Sequence, residues 1–130
     1  YPFYKHIVLL QPTSPLRKSF HIDKAINLYL SSKSSSLVST KKINLNKKYF
    51  FKYKKKYLKI NKVVLHERRQ EVQEEMYPNG AIYISSYKNI IKNKSFFVKK
   101  TAFFEMDQTS SIDIDTLEDL KLVESILKIK

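Results

Sequence analysis

Two aspartates near the end of the chain, Asp113 and Asp115, alternate with isoleucines in the stretch SIDID. Side chains two residues apart share a face of a strand, so we expect both carboxylates to point the same way while the isoleucines anchor the core. Two carboxylates at the C-terminal end of a strand, where α/β folds bind ligands, are a suitable seat for Mg²⁺ bridging a nucleotide's phosphates. Alternatively, Asp115 or Thr116 would open a capping box with the acid three residues later. The two interpretations are compatible and equally supported, with Asp113 the better candidate for direct coordination.

A second group of polar residues follows the apolar run HIVLL. Gln11 opens a proline-rigidified loop that presents two hydroxyls before Arg17. These side chains can hydrogen-bond a polyol and an anion, although turn formation alone would also explain the loop. Arg17, Arg68 and Arg69 are the only arginines among 25 lysines and arginines. Because guanidinium offers a rigid fork of donors to phosphate or carboxylate, these positions predict oriented anion recognition.

Gly80 is the only glycine and lies in the tripeptide Pro-Asn-Gly. A chain of this length ordinarily carries about nine glycines. We therefore expect Gly80 to occupy a position where a side chain would be in the way, through a positive φ or the close approach of a ligand. Most Asn-Gly pairs are only turns. This pair opens an apolar strand instead of linking a hairpin, which favours a ligand contact at Asn79 and Gly80.

Hydrophobic spacing predicts the elements that would position these residues. The run His6–Leu10 is typical of a buried parallel strand, and helical spacing predicts a helix from about Phe20 to Leu30 with Ser19 as its N-cap. Further along, we predict a core strand at Leu37–Thr40, a ribbon formed by Tyr49–Tyr53 and Tyr57–Ile60, a charged loop or short helix at Glu67–Glu75, a strand at Gly80–Ser85, a weak helix at Tyr87–Lys92, one or two strands within Phe96–Met106 and a final helix from Leu117. Strands and helices alternate, which predicts an α/β layered fold.

Composition limits the class of protein. At 130 residues the chain fits one domain with a sizeable core. It has no apolar run long enough for a membrane span, no secretion-signal pattern and no cysteine, so we expect a cytoplasmic protein without a membrane partner, disulfides or thiolate metal sites. A glycine-rich phosphate loop is also missing from the sequence, which limits the catalysis expected of the chain alone.

The net charge of +13 invites a nucleic-acid interpretation. Ten lysines and no acidic residues fall within 41–62, interleaved with aromatic residues that could form a single-strand binding face. However, the excess is nearly all lysine and accompanies abundant Ile, Asn, Tyr and Phe, as A/T-rich codon usage would give. No RNP-type, zinc-knuckle or helix-turn-helix motif is present. We therefore favour a solvated basic surface over nucleic-acid binding.

Three motifs, taken in order, closely resemble those of the acylneuraminate cytidylyltransferases, the CMP-sialic acid synthetase family that includes relatives activating legionaminic and pseudaminic acids. The motifs are LLQPTSPLR at 9–17, RRQEVQEEMYPNGAIYI at 68–84, and SIDID at 111–115 followed by T-x-x-D. The resemblance extends from about Ile7 to Leu127. Family members begin with a glycine- and lysine-bearing nucleotide loop that has no counterpart here, and Tyr1 is not a start methionine. We therefore expect a C-terminal portion of such an enzyme, incomplete at the N-terminus.

The resemblance implies a Rossmann-like nucleotidyltransferase fold and transfer of CMP from CTP to a nonulosonic sugar acid, with release of pyrophosphate. It implies that Asp113 and Asp115 hold Mg²⁺ and act in catalysis together with Arg69. The substrates would be bound by Gln11, Arg17, Lys48, Asn79, Gly80, Tyr83, Phe96 and Phe97, although adjacent phenylalanines alone would indicate core. Residues 41–75 would form a protruding ribbon and arm that crosses a homodimer and carries Arg69 to the neighbouring subunit.

The chain departs from the family pattern mainly in this arm. The usual His-Pro near Lys48 is replaced by Asn46-Lys47, Gln73 stands where a proline commonly follows RRQ, and Tyr77 replaces a basic residue. Without the nucleotide loop, the chain is not expected to catalyse the reaction alone. The alternative is a catalytically inactive, degenerate fragment that acts as a basic binding or structural module. The sequence does not identify the sugar acid, although QPTSPLR argues against Kdo.

Overall fold

The structure is a computed structural model that describes residues 4–44, 52–59 and 74–129. The elements are β1 His6–Leu9, α1 Ser19–Ser31, β2 Ser36–Asn44, β3 Lys52–Lys54, β4 Tyr57–Lys59, β5 Glu74–Ser86, α2 Tyr87–Asn93, β6 Thr101–Glu105 and α3 Leu117–Lys128. The chain divides into two compact units, one formed by Tyr1–Lys41 with Tyr77–Lys130 and the other by Lys42–Met76. The second unit has nearly the same bounds as the proposed arm, 41–75, whose part in dimerisation stays a prediction.

Four strands form an open mixed sheet in the order β1-β5-β2-β6. β1 is antiparallel to β5, and β2 is parallel to β6. Between β2 and β5, Ser36 Oγ donates to the carbonyl of Ile84, and Ser39 Oγ accepts from the N–H of Ile82, so the two strands run in opposite directions. β1, β2 and β6 therefore point the same way, and their carboxyl ends meet at one edge. The predicted α/β class is confirmed.

The core lies between this sheet and α1. Helical spacing brings the apolar side of α1 onto the strands, where burial of aliphatic surface stabilises both elements. The buried cluster consists of Ala25, Tyr29, Leu37, Ala81, Ile82, Ile84 and Met106. Leu37 belongs to the core strand predicted at Leu37–Thr40, which extends in the structure to Asn44.

β1 does not have the environment that its sequence predicts. It is an edge strand of the described sheet with an antiparallel neighbour, and Val8 and Leu9 remain 39% and 42% exposed. The prediction of a buried parallel strand is therefore wrong. A continuous apolar run is typical of burial on both faces, but it does not identify which neighbours the strand will have.

Several boundaries also differ from prediction. Helix α1 includes Ser19, so Lys18 is its N-cap, and the backbone N–H of Lys18 donates to His21 Nδ1 at 3.1 Å. The imidazole therefore satisfies the N–H of the N-cap residue, which is a different donor from the first-turn N–H that a serine cap would satisfy. β5 begins at Glu74, so the end of the predicted charged loop is a strand, while the rest of that loop lies outside the described residues. β6 is a single strand, and Phe96 precedes it.

The β3–β4 ribbon agrees with the predicted hairpin over the residues described. It turns at Lys55 and Lys56, and Lys55 has a φ of 56°. Lys33 and Lys94 also adopt positive φ values, 52° and 50°. The predicted helix after β5 is confirmed as α2. Within the described residues, no helix has the length and apolar character needed to cross a membrane.

Candidate active site

A cavity of about 260 Å³ lies in the first unit, beside the end of β1. It is formed by the loop after β1, by strands β2 and β5, and by the loop between β6 and α3. It is lined by Gln11, Lys41, Tyr77, Pro78, Asn79, Gly80, Tyr83, Ser111, Asp113 and Asp115. The cavity brings both aspartates together with Gln11 and Gly80, residues that the family resemblance assigns to the metal and substrate sites.

The segment that carries the aspartates is not the predicted strand. Residues 112–115 have no regular secondary structure, and the backbone N–H of Ile114 donates to the carbonyl of Thr13 at 2.9 Å. This bond ties the segment to the loop after β1 instead of to a sheet partner. Loop backbone thus brings Asp113 and Asp115 to one cavity without the alternation of a strand.

The two carboxylates differ in burial. Asp113 Oδ1 is buried and has no hydrogen-bond partner among the described residues, whereas Asp115 is exposed. The cap of α3 is formed by Thr116, whose Oγ1 accepts from the N–H of Asp119, and Asp119 Oδ2 accepts in return from the N–H of Thr116. Hydrogen bonds from Thr116 lower the pKa of Asp119. The sequence allowed a capping box that begins at Asp115 or one that begins at Thr116, and the structure forms the one at Thr116. The Asp115 carboxylate therefore has no capping role.

Gly80 has the positive φ that its isolation in the sequence suggested, and the group that approaches it closely is the side chain of Gln11. Its φ is +79°, and a Cβ built on it would lie 2.6 Å from Gln11 Oε1 and 3.5 Å from Asp113 Oδ2. A distance of 2.6 Å is shorter than a non-bonded contact allows. The missing side chain therefore permits the Gln11 amide to occupy the cavity wall.

Asn79 is 5% exposed and links three parts of the fold. Its Oδ1 accepts from Ser39 Oγ at 2.5 Å and from the N–H of Ala81 at 3.2 Å. Its Nδ2 donates to Ser111 Oγ at 2.8 Å and to the sulfur of Met106 at 3.5 Å. These four contacts use the full hydrogen-bonding capacity of the amide. Asn79 therefore joins β2 and β5 to the loop that carries the aspartates.

Tyr83 forms the aromatic side of the cavity. Burial raises the pKa of its phenol, and the negative charge of Asp113 raises that pKa further. The ring packs against Phe96 and Phe97, with centroid distances of 5.4 and 6.2 Å. Neither phenylalanine lines the cavity itself, and Phe97 is 56% exposed. Phe96 and Phe97, which the resemblance assigns to substrate binding, are therefore connected to the cavity only through their packing on Tyr83.

Arg17 stabilises the loop after β1. Its guanidinium NH1 donates to the carbonyl of Gln11 at 3.0 Å and to that of Ala81 at 2.8 Å, and Arg17 is not among the lining residues. These bonds attach the loop to β5. Lys48 and Arg69, two further predicted site residues, lie outside the described residues.

Sequence reasoning missed Lys41, Ser39 and Ser111. Lys41 belongs to a lysine-rich run interpreted as solvated, and the two serines resemble ordinary strand or loop residues. Period-two alternation was the available signal for Lys41, because continuing β2 beyond Thr40 puts Lys41 on the same face as Ser39.

Comparison with curated proteins finds relatives named as cytidylyltransferases and as a CMP-sugar acid synthase. No family model matches it. It is 38% identical over 117 residues to the N-acylneuraminate cytidylyltransferase of Streptococcus agalactiae, a match that covers 88% of this chain and 28% of that protein. The Escherichia coli protein of the same name is 32% identical over 138 residues, covering 97% of this chain and 30% of the relative.

A shorter relative gives a similar result. The CMP-N,N'-diacetyllegionaminic acid synthase of Legionella pneumophila is 32% identical over 130 residues, covering 98% of this chain and 56% of that protein. The chain thus spans less than a third of the length of the first two relatives and about half of the third. Over nearly its whole length, it is a homologue of one part of the acylneuraminate cytidylyltransferases, the family that its three motifs indicated.

Proposed function

We propose that the chain is part of a cytidylyltransferase with a Rossmann-like nucleotidyltransferase sheet, and that this enzyme transfers CMP from CTP to a sialic-type sugar acid. In the proposed reaction, the anomeric hydroxyl oxygen of the sugar attacks the α-phosphorus of CTP. A new P–O bond forms, the bond to the β-phosphate breaks, and pyrophosphate leaves. The names of the similar proteins support this substrate class. The proposal includes a homodimer, on the strength of the family resemblance, and a cytoplasmic location, on the composition of the chain.

The buried Oδ1 of Asp113 is the observation that carries the proposal. A buried carboxylate oxygen without a hydrogen bond is costly, and such an atom in a native fold calls for an explanation such as a bound ion or water. Asp113 shares its cavity with Gln11 and Gly80, at the edge where the carboxyl ends of β1, β2 and β6 meet. Open α/β sheets bind their ligands at this edge.

The residues present fit Mg²⁺. This ion is usually held by one or two carboxylates together with water and substrate phosphates, not by an all-protein cage. Asp113 and Asp115 are such a pair, and the described part of the chain contains no group of three or more metal-binding side chains. When bound, the ion would neutralise the negative charge of the phosphates during transfer.

The other cavity side chains bind and orient the sugar in this proposal. The Gln11 amide offers both donors and an acceptor to hydroxyl groups. A tyrosine is protonated at neutral pH, and burial raises the pKa of Tyr83 further above its ordinary value of 10, so its O–H can donate. Asn79 holds the aspartate loop in place. Correct orientation of the attacking hydroxyl provides a large part of the rate in such a transfer.

Four further side chains keep the roles that the family resemblance implies. Arg69, carried by the neighbouring subunit, and Lys48 would contact the acid group of the sugar or the triphosphate. Phe96 and Phe97 would contribute the apolar side of the sugar site through their packing on Tyr83.

Pyrophosphate release tests the proposal directly. The protein produced from its complete coding sequence would be incubated with CTP, Mg²⁺ and a panel of nonulosonic acids. We expect release with at least one sialic-type acid and none without sugar. The 130-residue chain alone is expected to release none, because its sequence has no glycine-rich phosphate loop. Release with none of the sugars, together with salt-sensitive retention on single-stranded nucleic acid, would instead favour the basic binding module.

Asp113→Asn provides a sharper test in the complete protein. The substitution removes the charge that would hold the metal, so we expect kcat to fall by about a hundredfold or more, as when a transition-state stabilising group is lost. Stability should be unchanged or higher, because the variant no longer buries an unpaired charge. Asp23→Asn on the exposed side of α1 is the matched control and should alter neither quantity. A variant that keeps its rate but unfolds earlier would make Asp113 a structural residue.

A further inference from the structure

Lys41 contributes a positive charge to the cavity that no motif predicted. Adjacent residues of a strand point to opposite faces, and β2 separates Lys41 from Lys42 in this way. Lys41 is half-buried and lines the cavity. The side chain of Lys42 is 46% exposed and forms an ion pair with Glu74 at 3.3 Å. Two neighbouring lysines therefore have different environments, although their sequence context is the same.

No described carboxylate neutralises Lys41. Asp113 and Asp115 line the same cavity, yet neither lies within the 4.0 Å that defines an ion pair. The cavity therefore contains a cation and an acidic pair that remain apart. A ligand with an anionic group would complement the charge of Lys41, and a metal ion bound to that ligand would complement the two aspartates.

The arginine predicted to recognise an anion is used elsewhere. Arg17 NH1 donates to two backbone carbonyls, and the side chain does not reach the cavity lining. Lysine differs from arginine because its ammonium is a compact charge without fixed bidentate geometry. The ammonium of a lysine in this position can bind a single anionic oxygen, and it does not need two oxygens arranged for bidentate contact.

We propose that Lys41 binds an anionic oxygen of the ligand in this cavity, while the aspartate pair is left for the metal ion. The inference rests on the proposed function and extends it by assigning a residue to the acidic group of a substrate. That group is either the carboxylate of the sugar acid or a phosphate of CTP, since both offer the same charged oxygen to an ammonium. Lys41 is then a specificity-determining residue that discriminates acidic ligands from neutral ones.

Calorimetric binding measurements on the protein from its complete coding sequence test this inference without using turnover. The probes are N-acetylneuraminate, its methyl ester and CTP with Mg²⁺, each titrated into wild type, Lys41→Gln and Lys41→Arg. Lys42→Gln is the matched control, since it removes the same charge from the adjacent residue. Loss of a hydrogen bond to a charged group predicts that Lys41→Gln weakens one acidic probe by about tenfold or more. Lys41→Arg and Lys42→Gln should retain binding.

The pattern of losses identifies the acidic group. Weaker binding of N-acetylneuraminate, with the methyl ester unaffected, assigns Lys41 to the sugar carboxylate. Weaker binding of CTP alone assigns it to a phosphate. Equal affinities in wild type and Lys41→Gln, or equal losses in Lys41→Gln and Lys42→Gln, would overturn the inference. A protein that releases no pyrophosphate but loses probe affinity only in Lys41→Gln would refute the proposed reaction and leave this inference standing.

Discussion

Replacement of Gly80 by alanine tests the geometry on which the site depends. An L residue in the left-handed region costs about 1–2 kcal/mol relative to ordinary backbone. The new Cβ would also lie 2.6 Å from Gln11 Oε1, which must move. Because that atom ends a flexible side chain, we expect it to rotate at an added cost of about 0.5–1.5 kcal/mol. The total predicted destabilisation of Gly80→Ala is therefore about 1.5–3.5 kcal/mol.

Urea denaturation of four proteins separates the two contributions. Wild type, Gly80→Ala, Gln11→Ala and the double variant form a double-mutant cycle. In the Gln11→Ala background the contact is gone, so Gly80→Ala should cost only the backbone contribution, and the coupling should be about 0.5–1.5 kcal/mol. A Gly80→Ala variant within about 0.5 kcal/mol of wild type would refute the backbone argument. Equal costs in both backgrounds would refute the contact with Gln11.

Two further predictions concern buried polar groups. Ser39→Ala removes the acceptor of the Ile82 N–H and the donor to Asn79, so urea denaturation should reveal a loss of about 1–3 kcal/mol. Burial lowers the pKa of His21 below its ordinary value of 6.5, against the opposing charge of Asp107. The unfolded chain therefore binds the proton more readily, and the melting temperature should fall as the pH drops below about 6.5, less steeply in His21→Asn.

Each of these predictions has its own control. Ser125 donates to a helix carbonyl on the exposed side of α3, so Ser125→Ala should change stability by no more than about 0.5 kcal/mol. If Ser39→Ala is equally mild, the network around Asn79 contributes little to stability. For His21, the asparagine variant retains an acceptor for the N–H of Lys18. An identical acid slope in wild type and variant would assign the pH dependence to other groups.

Local pattern was sufficient to predict many elements but not their surroundings. Alternation of strands and helices gave the α/β class, and the spacing of apolar residues located α1 and α3 within a few residues. The exposure of β1 depends on its position in the sheet, which is set by contacts with distant β5. An apolar run shows that a strand is suited to burial, but the position of the strand in the sheet determines whether its side chains are buried.

The site was predictable to the extent that unusual residue types mark it. The lone glycine and the paired aspartates were visible in the sequence, and the family resemblance assigned Gln11, Gly80, Asp113 and Asp115 to one site. The structure places all four around one cavity. The hydrogen bonds of Asn79 with Ser39 and Ser111 were not predictable. In a sequence, a serine that will be buried looks the same as one that will be exposed to solvent. Lys41 was missed for a related reason, since functional and solvated lysines look alike in a lysine-rich run.

The positive φ angles of Lys33, Lys55 and Lys94 bear on the meaning of the single glycine. At these turns the chain tolerates a left-handed backbone beneath a long side chain, at a cost of about 1–2 kcal/mol each. Torsional freedom by itself therefore does not explain why a hydrogen atom is needed at position 80. The feature that distinguishes position 80 from these turns is a methyl-sized volume, which Gln11 Oε1 already occupies. In steric terms, the space that a side chain at position 80 would fill is taken by the amide of Gln11, from the loop after β1.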